Sequence, residues 1–294
     1  MGKSKANPPK SPFQKGGLQL APPFTKGGLG GISFYAAITW LILVLFCAAS
    51  VGLWPFPFTV DQIDAEHFAA LPGGAHLLGT DATGRDIVAR LLFGARVSLT
   101  VGICAPLFGL GVGLLLGMPS GLYRGWTERT IMTLADVILA FPGLVFLLVF
   151  TSVLGPSLTT ITLGLGLLIS PRFVRVARAN TIRFSEREFI QAARIGGAGD
   201  ISIMLREILP NILGPLMAYT LVVAGFVIVA EGGLGFLGLS VPSPTPSWGG
   251  MIAAGRDVLE QTPHVAMIPT AVMFLTVLSI NVIGDRLRGR YDRA

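Results

Sequence analysis

The chain has 294 residues, of which 52% are apolar and only 13% charged, with a mean hydropathy of +0.69 and a net charge of +6. Soluble domains carry about 25% charged residues, so the composition excludes an ordinary soluble protein and points to a membrane. Apolar runs near 20 residues long must be helices there, because backbone groups in lipid have to pair within their own segment, and no alternating pattern of the kind a membrane barrel needs is present.

In chain order, residues 1–31 form a basic tail with lysines at 3, 5, 10, 15 and 26. The string PFQKGGL at 12–18 recurs as PFTKGGL at 23–29. Proline and glycine with few core-forming residues cannot offset the entropy of ordering, so this tail is expected to be disordered. A tolerated extension is favoured over attraction of its lysines to a lipid surface. Six spans follow, at 33–53, 97–122, 131–153, 158–174, 212–230 and 265–283. The first lies too far behind the basic tail to be an ordinary cleaved signal peptide. Between spans one and two runs HLLGTDATGRD at 76–86, with Gly79, Gly84 and Gly94 as turn points. Ile87, Val88, Leu91 and Leu92 then recur at helical spacing, with Arg85, Asp86 and Arg90 elsewhere around the wheel. This predicts a short amphipathic helix lying at the membrane interface.

Span two carries Gly109, Gly113, Gly117 and Gly121, each four apart, so one helix face is glycine and permits close helix–helix approach. The pattern fits a partner helix of the same chain and one of a second subunit equally well. Asp136 and Glu231 are acids in or near spans. A charge at mid-bilayer costs roughly 2.5–3.5 kcal/mol on insertion scales, so both are expected to face protein or water, in packing roles rather than proton coupling. Cys47 and Cys104 sit within apolar spans and read as small buried hydrophobes, with no disulfide framework.

Basic residues fix the expected orientation. The N-terminal lysines, Arg124 and Arg129, the seven arginines from Arg172 to Arg206, and Arg286, Arg288, Arg290 and Arg293 put eighteen charges on one side. Only Arg85, Arg90, Arg96 and Arg256 fall on the other. The positive-inside rule therefore places both termini and the long Arg-rich segment in the cytoplasm, which an even number of spans allows. These charges flank lipid spans, so nucleic-acid binding is not expected despite the basic pI.

The segment FIQAARIGGAGDISIMLREILPN at 189–211 is the most informative polar stretch. Two short helices joined at Gly196–Gly197 would let the backbone turn sharply. Asp200 is the expected N-cap of the second helix, and Pro210 the expected start of span five. Ala192 and Ala193 give a low-relief surface suited to another protein. The order resembles the EAA loop of ABC importer permeases, the cytoplasmic element that docks onto the ATPase subunits. Further pieces resemble the C-type permeases of dipeptide, oligopeptide and nickel importers within the binding-protein-dependent transport permease family. Residues Gly79, Thr80, Asp81, Gly84, Arg85 and Asp86 are similar to that family's PLGTD-x-x-GRD signature, with Leu77 in place of its usual proline. YRGW at 123–126, ADVILAFP at 135–142, AEGGLGFLGL at 230–239, PTPSWG at 244–249, GRD at 255–257 and NVIGDRLR at 281–288 follow in order. The resemblance covers about residues 74–294. Two departures stand out: Gln191 occupies the place of the EAA glutamate, and Glu207 stands where C-type members often have histidine.

The resemblance implies an all-α integral membrane protein of the bacterial inner membrane, with six transmembrane helices in a type I ABC importer permease architecture. It implies a heterodimer with a B-type permease subunit, two ATPase subunits and an extracytoplasmic solute-binding protein. ATP and magnesium would be bound on the ATPases, with no cofactor on this chain. Gln191, Ala192, Ala193, Gly197, Asp200 and Pro210 would carry the ATPase coupling. The organisation expected is a tail at 1–31, a first span with an external loop and amphipathic helix at 32–95, a permease core at 96–288 with its coupling loop at about 183–210, and a C-terminal tail at 289–294. In the external motif, fixing of the loop by hydrogen bonds and ion pairs is favoured over direct substrate contact. The substrate stays open among peptides, nickel and related solutes.

Catalytic signals are absent. His67, His76 and His264 show no metal-ligand spacing, so no metal site is expected. There is no Gly-x-Ser-x-Gly elbow. The tripeptide GKS at 2–4 lacks the rest of a P-loop, and GLGFLG at 233–238 follows a membrane span rather than the strand of a dinucleotide fold. The chain is therefore expected to be no enzyme. A secondary transporter is the alternative, but no inverted repeat or intramembrane ion ligands favour it.

Overall fold

The computed structural model describes residues 29–52 and 59–291, and side chains within 31–289 of these. The expected tail at 1–31 thus lies outside the described residues as far as position 28. Among the described residues, ten α-helices follow in order: α1 Leu29–Ser50, α2 Ile87–Tyr123, α3 Gly125–Ala140, α4 Gly143–Leu154, α5 Leu158–Ser185, α6 Glu188–Ile195, α7 Asp200–Ser202, α8 Leu209–Phe236, α9 Trp248–Gly255 and α10 His264–Tyr291. A π-helical stretch, Ile203–Ile208, joins α7 to α8 without a break, so Asp200–Phe236 is one 37-residue span. Five of the described helices are long and apolar enough to cross a membrane, and α3 with α4 makes a sixth if the bent pair is one span.

That bent pair corrects the continuous third span expected from hydropathy. The chain turns by 89° between α3 and α4. Phe141, preceding Pro142, is extended at φ −77° and ψ 134°, as the clash with a following proline ring requires. A second correction concerns residues 87–92. They form no separate interfacial helix but the first turns of α2, and Ile87 and Leu91 are buried. Hydropathy ends early there because of Arg85, Asp86 and Arg90. The helix starts there because Asp86 accepts from the Ala89 N–H as the α2 N-cap, and the charge of Arg90 is paired with Asp81 at 3.3 Å.

The glycine face of α2 meets α5 of the same chain, which runs parallel to it. A methyl group at Gly113 would lie 2.5 Å from Phe173 Cβ, one at Gly117 2.6 Å from the Val174 carbonyl oxygen, and one at Gly121 2.8 Å from that of Arg178. Gly109 abuts the Phe173 ring. Of the two partners left open by the sequence, the structure supplies the intramolecular one. Phe173 is wholly buried and packs edge-on to Tyr219 of α8, at 5.1 Å between ring centroids, so α2, α5 and α8 form the central core.

A second core joins α1, the first half of α2, α9 and α10. The Trp40 indole N–H donates to Thr276 Oγ1 at 3.1 Å, fixing α1 on α10. Arg96 donates to the carbonyls of Ala48 and Ala49 at the end of α1, which otherwise have no helical partners. Short α9 crosses α8 where glycine meets glycine: Gly232 and Gly235 face Gly249 and Gly250. Cys104 is exposed and Cys47 half-buried, contrary to the expectation of burial. The outer faces of the bundle are apolar, as in Leu115, Leu134 and Val153, which suits contact with lipid or another membrane subunit.

Candidate functional site

The polar ends of the bundle hold two groups of candidate residues. The parallel pairing of α2 and α5 puts α6 and α7 at the end where α2 stops. The loop before α2 lies at the opposite end.

At the first end, Ile190 is buried and anchors α6, while Gln191 and Ala192 face outward. Ala193 is half-buried against the core, so only one of the two alanines contributes open surface. Helix α6 closes in a Schellman turn. The Ala198 N–H donates to the Ala193 carbonyl and the Gly197 N–H to that of Arg194, both at 3.0 Å. This turn needs a positive φ at Gly197, which is +85°. The expected cap shifts by one: Gly199 is the N-cap of α7 without a side-chain bond, and Asp200 is the first helical residue. An acid there still complements the helix dipole. Pro210 stands in the first turn of α8, inside the continuous Asp200–Phe236 span. It lines a cleft of about 1260 Å³ between α5, α6 and α8, together with Arg183, Arg187 and Phe189. Three apolar side chains project from the tip, uncovered by the described residues: Ile195 is 90% exposed, Ile201 68% and Leu205 56%.

Ion pairs hold α3 onto this end. Arg178 bonds Glu128, Arg175 bonds Asp136 and Arg124 bonds Glu186. Asp136 thus has a basic partner on α5. Glu231 is placed differently, with no measurable exposure. Ser98 donates to its Oε2 at 3.2 Å and Ser240 to its Oε1 at 2.6 Å. The Trp248 backbone N–H in turn donates to Ser98 Oγ at 3.1 Å, and its indole N–H to the Leu91 carbonyl. Glu231 therefore ties α8 to α2 and, through Ser98, to α9. Removing the acceptor strands two buried hydroxyls, which costs about 1–3 kcal/mol. Glu231→Ala is expected to lower the thermal unfolding midpoint of the detergent-solubilised chain, while Glu231→Gln, which keeps an acceptor, retains most of it. Equal midpoints for Glu231→Ala and the parent chain would contradict this role.

At the opposite end, the GTDATGRD stretch cradles the segment before it. Gly79 has φ +81° and Gly84 φ +79°. A side chain at Gly79 would strike the Ala70 carbonyl, and one at Gly84 that of Asp64. The Asp64 N–H donates to the Gly84 carbonyl at 2.9 Å. Buried Thr80 accepts from the Ala70 N–H at 2.8 Å and donates to the His67 carbonyl. Asp81 Oδ1 accepts from the Thr83 and Arg85 N–H groups and from the Thr83 hydroxyl. The motif residues fix the loop.

The same cradle brings together groups that sequence spacing kept apart. His76 is buried, with Nδ1 2.9 Å from Asp86 Oδ2 and Nε2 3.2 Å from Asp64 Oδ2. His67 Nδ1 lies 2.9 Å from the same Asp64 oxygen. Bonds from the Glu66 N–H, then His76 and His67, lower the Asp64 pKa to about 2. Burial works against a charge on His76, but its bonds to Asp86 and Asp64 outweigh this and raise its pKa above the ordinary value. The two histidines stand nine positions apart, so no linear motif signalled the cluster.

Long apolar helices, with an exposed helical tip at one end and a folded loop at the other, define a multi-pass membrane protein. Residues 109–294 match the family described as binding-protein-dependent transport system inner membrane component. Over 252 residues the chain is 35% identical to the glutathione transport system permease protein GsiD of Pectobacterium atrosepticum, covering 85% of this chain and 84% of that one. It is 36% identical to GsiD of Escherichia coli, covering 85% and 83%. The fold is also similar to a chain of the MetNI methionine ABC transporter, solved in inward-facing conformations, with a TM-score of 0.57 at 17% identity over 70% of this chain and 97% of that one. The chain belongs to the binding-protein-dependent transport permease family: it is a multi-pass inner-membrane permease subunit of an ABC importer. Such a subunit is not itself catalytic. The family implies a partner permease, ATPase subunits that bind and hydrolyse ATP, and a binding protein, and it gives no support to the secondary-transporter alternative.

Proposed function

We propose that this chain is the C-type half of a heterodimeric pore, paired with a B-type subunit, that imports peptides or related small solutes. Both termini and the tip around 191–210 face the cytoplasm in this reading, which the eighteen-to-four division of basic residues supports. The observation that carries the reading is the tip itself. Its apolar side chains Ile195, Ile201 and Leu205 are uncovered by the described residues, and Asp200 begins a helix that runs unbroken to Phe236. A partner seated on Ile201 and Leu205 thus pushes directly on a spanning element about 55 Å long, at 1.5 Å per residue. Movement of an ATPase would be carried into α8, and through α6 into α5, rocking them against the partner subunit to expose the path alternately to each side.

A peptide substrate is supported by the relatives named for glutathione, itself a short peptide. The folded loop at 59–86 offers a rigid external surface on which a binding protein would dock, with its motif residues acting as a frame. Reconstitution in liposomes tests the reading. The purified chain alone should show neither ATP hydrolysis nor uptake. Adding the B-type subunit, both ATPases and the binding protein should produce both, with uptake of a labelled short peptide. Accumulation by the lone chain under a proton or sodium gradient would overturn the reading, and so would full activity of the complex without the binding protein.

A further inference from the structure

We propose that Asp64, His67 and His76 form a binding site for a first-row divalent cation on the loop preceding α2. Each residue offers one ligand atom, and all three atoms lie within 4.8 Å of one another. Asp64 Oδ2 is 2.9 Å from His67 Nδ1 and 3.2 Å from His76 Nε2. A tetrahedral ion with ligands at about 2.0–2.1 Å holds those ligands about 3.3 Å apart, so both distances from the Asp64 oxygen stand near the required spacing before any ion enters.

The surroundings are those of a built site. Asp86 Oδ2 holds His76 Nδ1 at 2.9 Å, which directs Nε2 towards Asp64. A carboxylate behind a ligating histidine fixes its tautomer and raises its basicity. Asp86 is itself buried and immobilised as the cap of α2. The other two ligands are tethered through their backbones: Asp64 donates to the Gly84 carbonyl, and His67 accepts from Thr80. The side chain of His67 is 52% exposed and that of Asp64 26%, so an ion reaches the site from solvent and a water completes its coordination. Two imidazoles and one carboxylate select zinc, cobalt or nickel over calcium or magnesium, which prefer oxygen ligands throughout. A bound ion would clip residues 64–67 to His76 over the first turn of α2. It would act as a staple on the external loop, a role separate from translocation.

The site stands or falls independently of the transport reading, because its test needs no uptake. The full chain, with any polyhistidine tag removed and stripped by chelator, is titrated with Co²⁺ in detergent while visible absorption is followed. One equivalent should bind with the intense bands of a four-coordinate site, and stoichiometric Zn²⁺ should displace it. His67→Ala and Asp64→Asn should each weaken binding by more than 100-fold. Asp86→Asn, which keeps the helix cap but loses the carboxylate behind His76, should weaken it by about 10- to 100-fold. Because His67 is half exposed, His67→Ala should unfold at the same temperature as the metal-free parent and lack its stabilisation by Zn²⁺. Absence of saturable Co²⁺ binding, or binding unchanged in both His67→Ala and Asp64→Asn, would overturn the proposal.

Discussion

Gly113→Leu is expected to abolish the folded subunit, leaving little of it extractable from the membrane as a monodisperse species. A methyl at this position would already stand 2.5 Å from Phe173 Cβ and 2.9 Å from its backbone carbonyl carbon. Phe173 cannot step aside, because it is wholly buried between α2 and Tyr219 of α8. Overpacking of a well-filled core costs about 1–3 kcal/mol where side chains can adjust, and here the obstacle is partly backbone. Most of a domain's margin of about 5–15 kcal/mol is threatened if α2 and α5 must separate along their whole seam. At Gly111, two residues earlier, a methyl group would meet no atom within 4 Å. Gly111→Leu therefore controls for hydrophobicity and helix propensity in the same helix. Yield and thermal unfolding should be normal for Gly111→Leu and lost for Gly113→Leu. Equal behaviour of the two variants would contradict the packing assigned to this face.

Gly197→Val should leave the subunit inserted but cut uptake about tenfold or more. The Schellman turn requires φ +85° at this position. A side-chain-bearing residue in the left-handed region costs roughly 1–2 kcal/mol, more when β-branched. None of the described residues crowds a side chain at Gly197, so the penalty is conformational and falls on the angle between α6 and α7. Gly197→Asn, which tolerates positive φ, should retain far more uptake than Gly197→Val. Gly199→Ala should be close to neutral, since Gly199 has φ −73° and open space around it. Membrane level, ATPase co-purification and uptake are measured together. Normal uptake with normal ATPase retention in Gly197→Val would remove the support for this turn.

The helical membrane class was legible because long apolar runs admit one solution in lipid. Helix ends were less so. Hydropathy stops span four at residue 174, but α5 continues to Ser185, its Arg175 and Arg178 held by Asp136 and Glu128 of α3 and its end reached by Arg124. Those partners lie 39 to 62 residues away in sequence, so no local window contains them. The break at Phe141–Pro142 carried its own signal in the proline, which the apolar count on either side masked. Glycine spacing gave the face of α2 but not the helix it meets, since a period of four residues describes one partner only. At the tip, Gly196–Gly197 announced a turn, whereas the inward rotation of Ala193 depends on where Ile190 is anchored. The His67–His76 cluster was invisible because the cradle of Gly79 and Gly84 folds the loop back on itself.

We propose that the tip at 191–210 seats on an ATPase. The most direct measurement is photo-crosslinking in the assembled complex, with p-benzoylphenylalanine replacing Ile195, which is 90% exposed at the tip, or Leu77, which is 77% exposed on the opposite loop. Crosslinks from position 195 should run to an ATPase subunit and never to the binding protein, and position 77 should give no ATPase adduct. An ATPase adduct from position 77, or a binding-protein adduct from position 195, would contradict both the orientation and the coupling role.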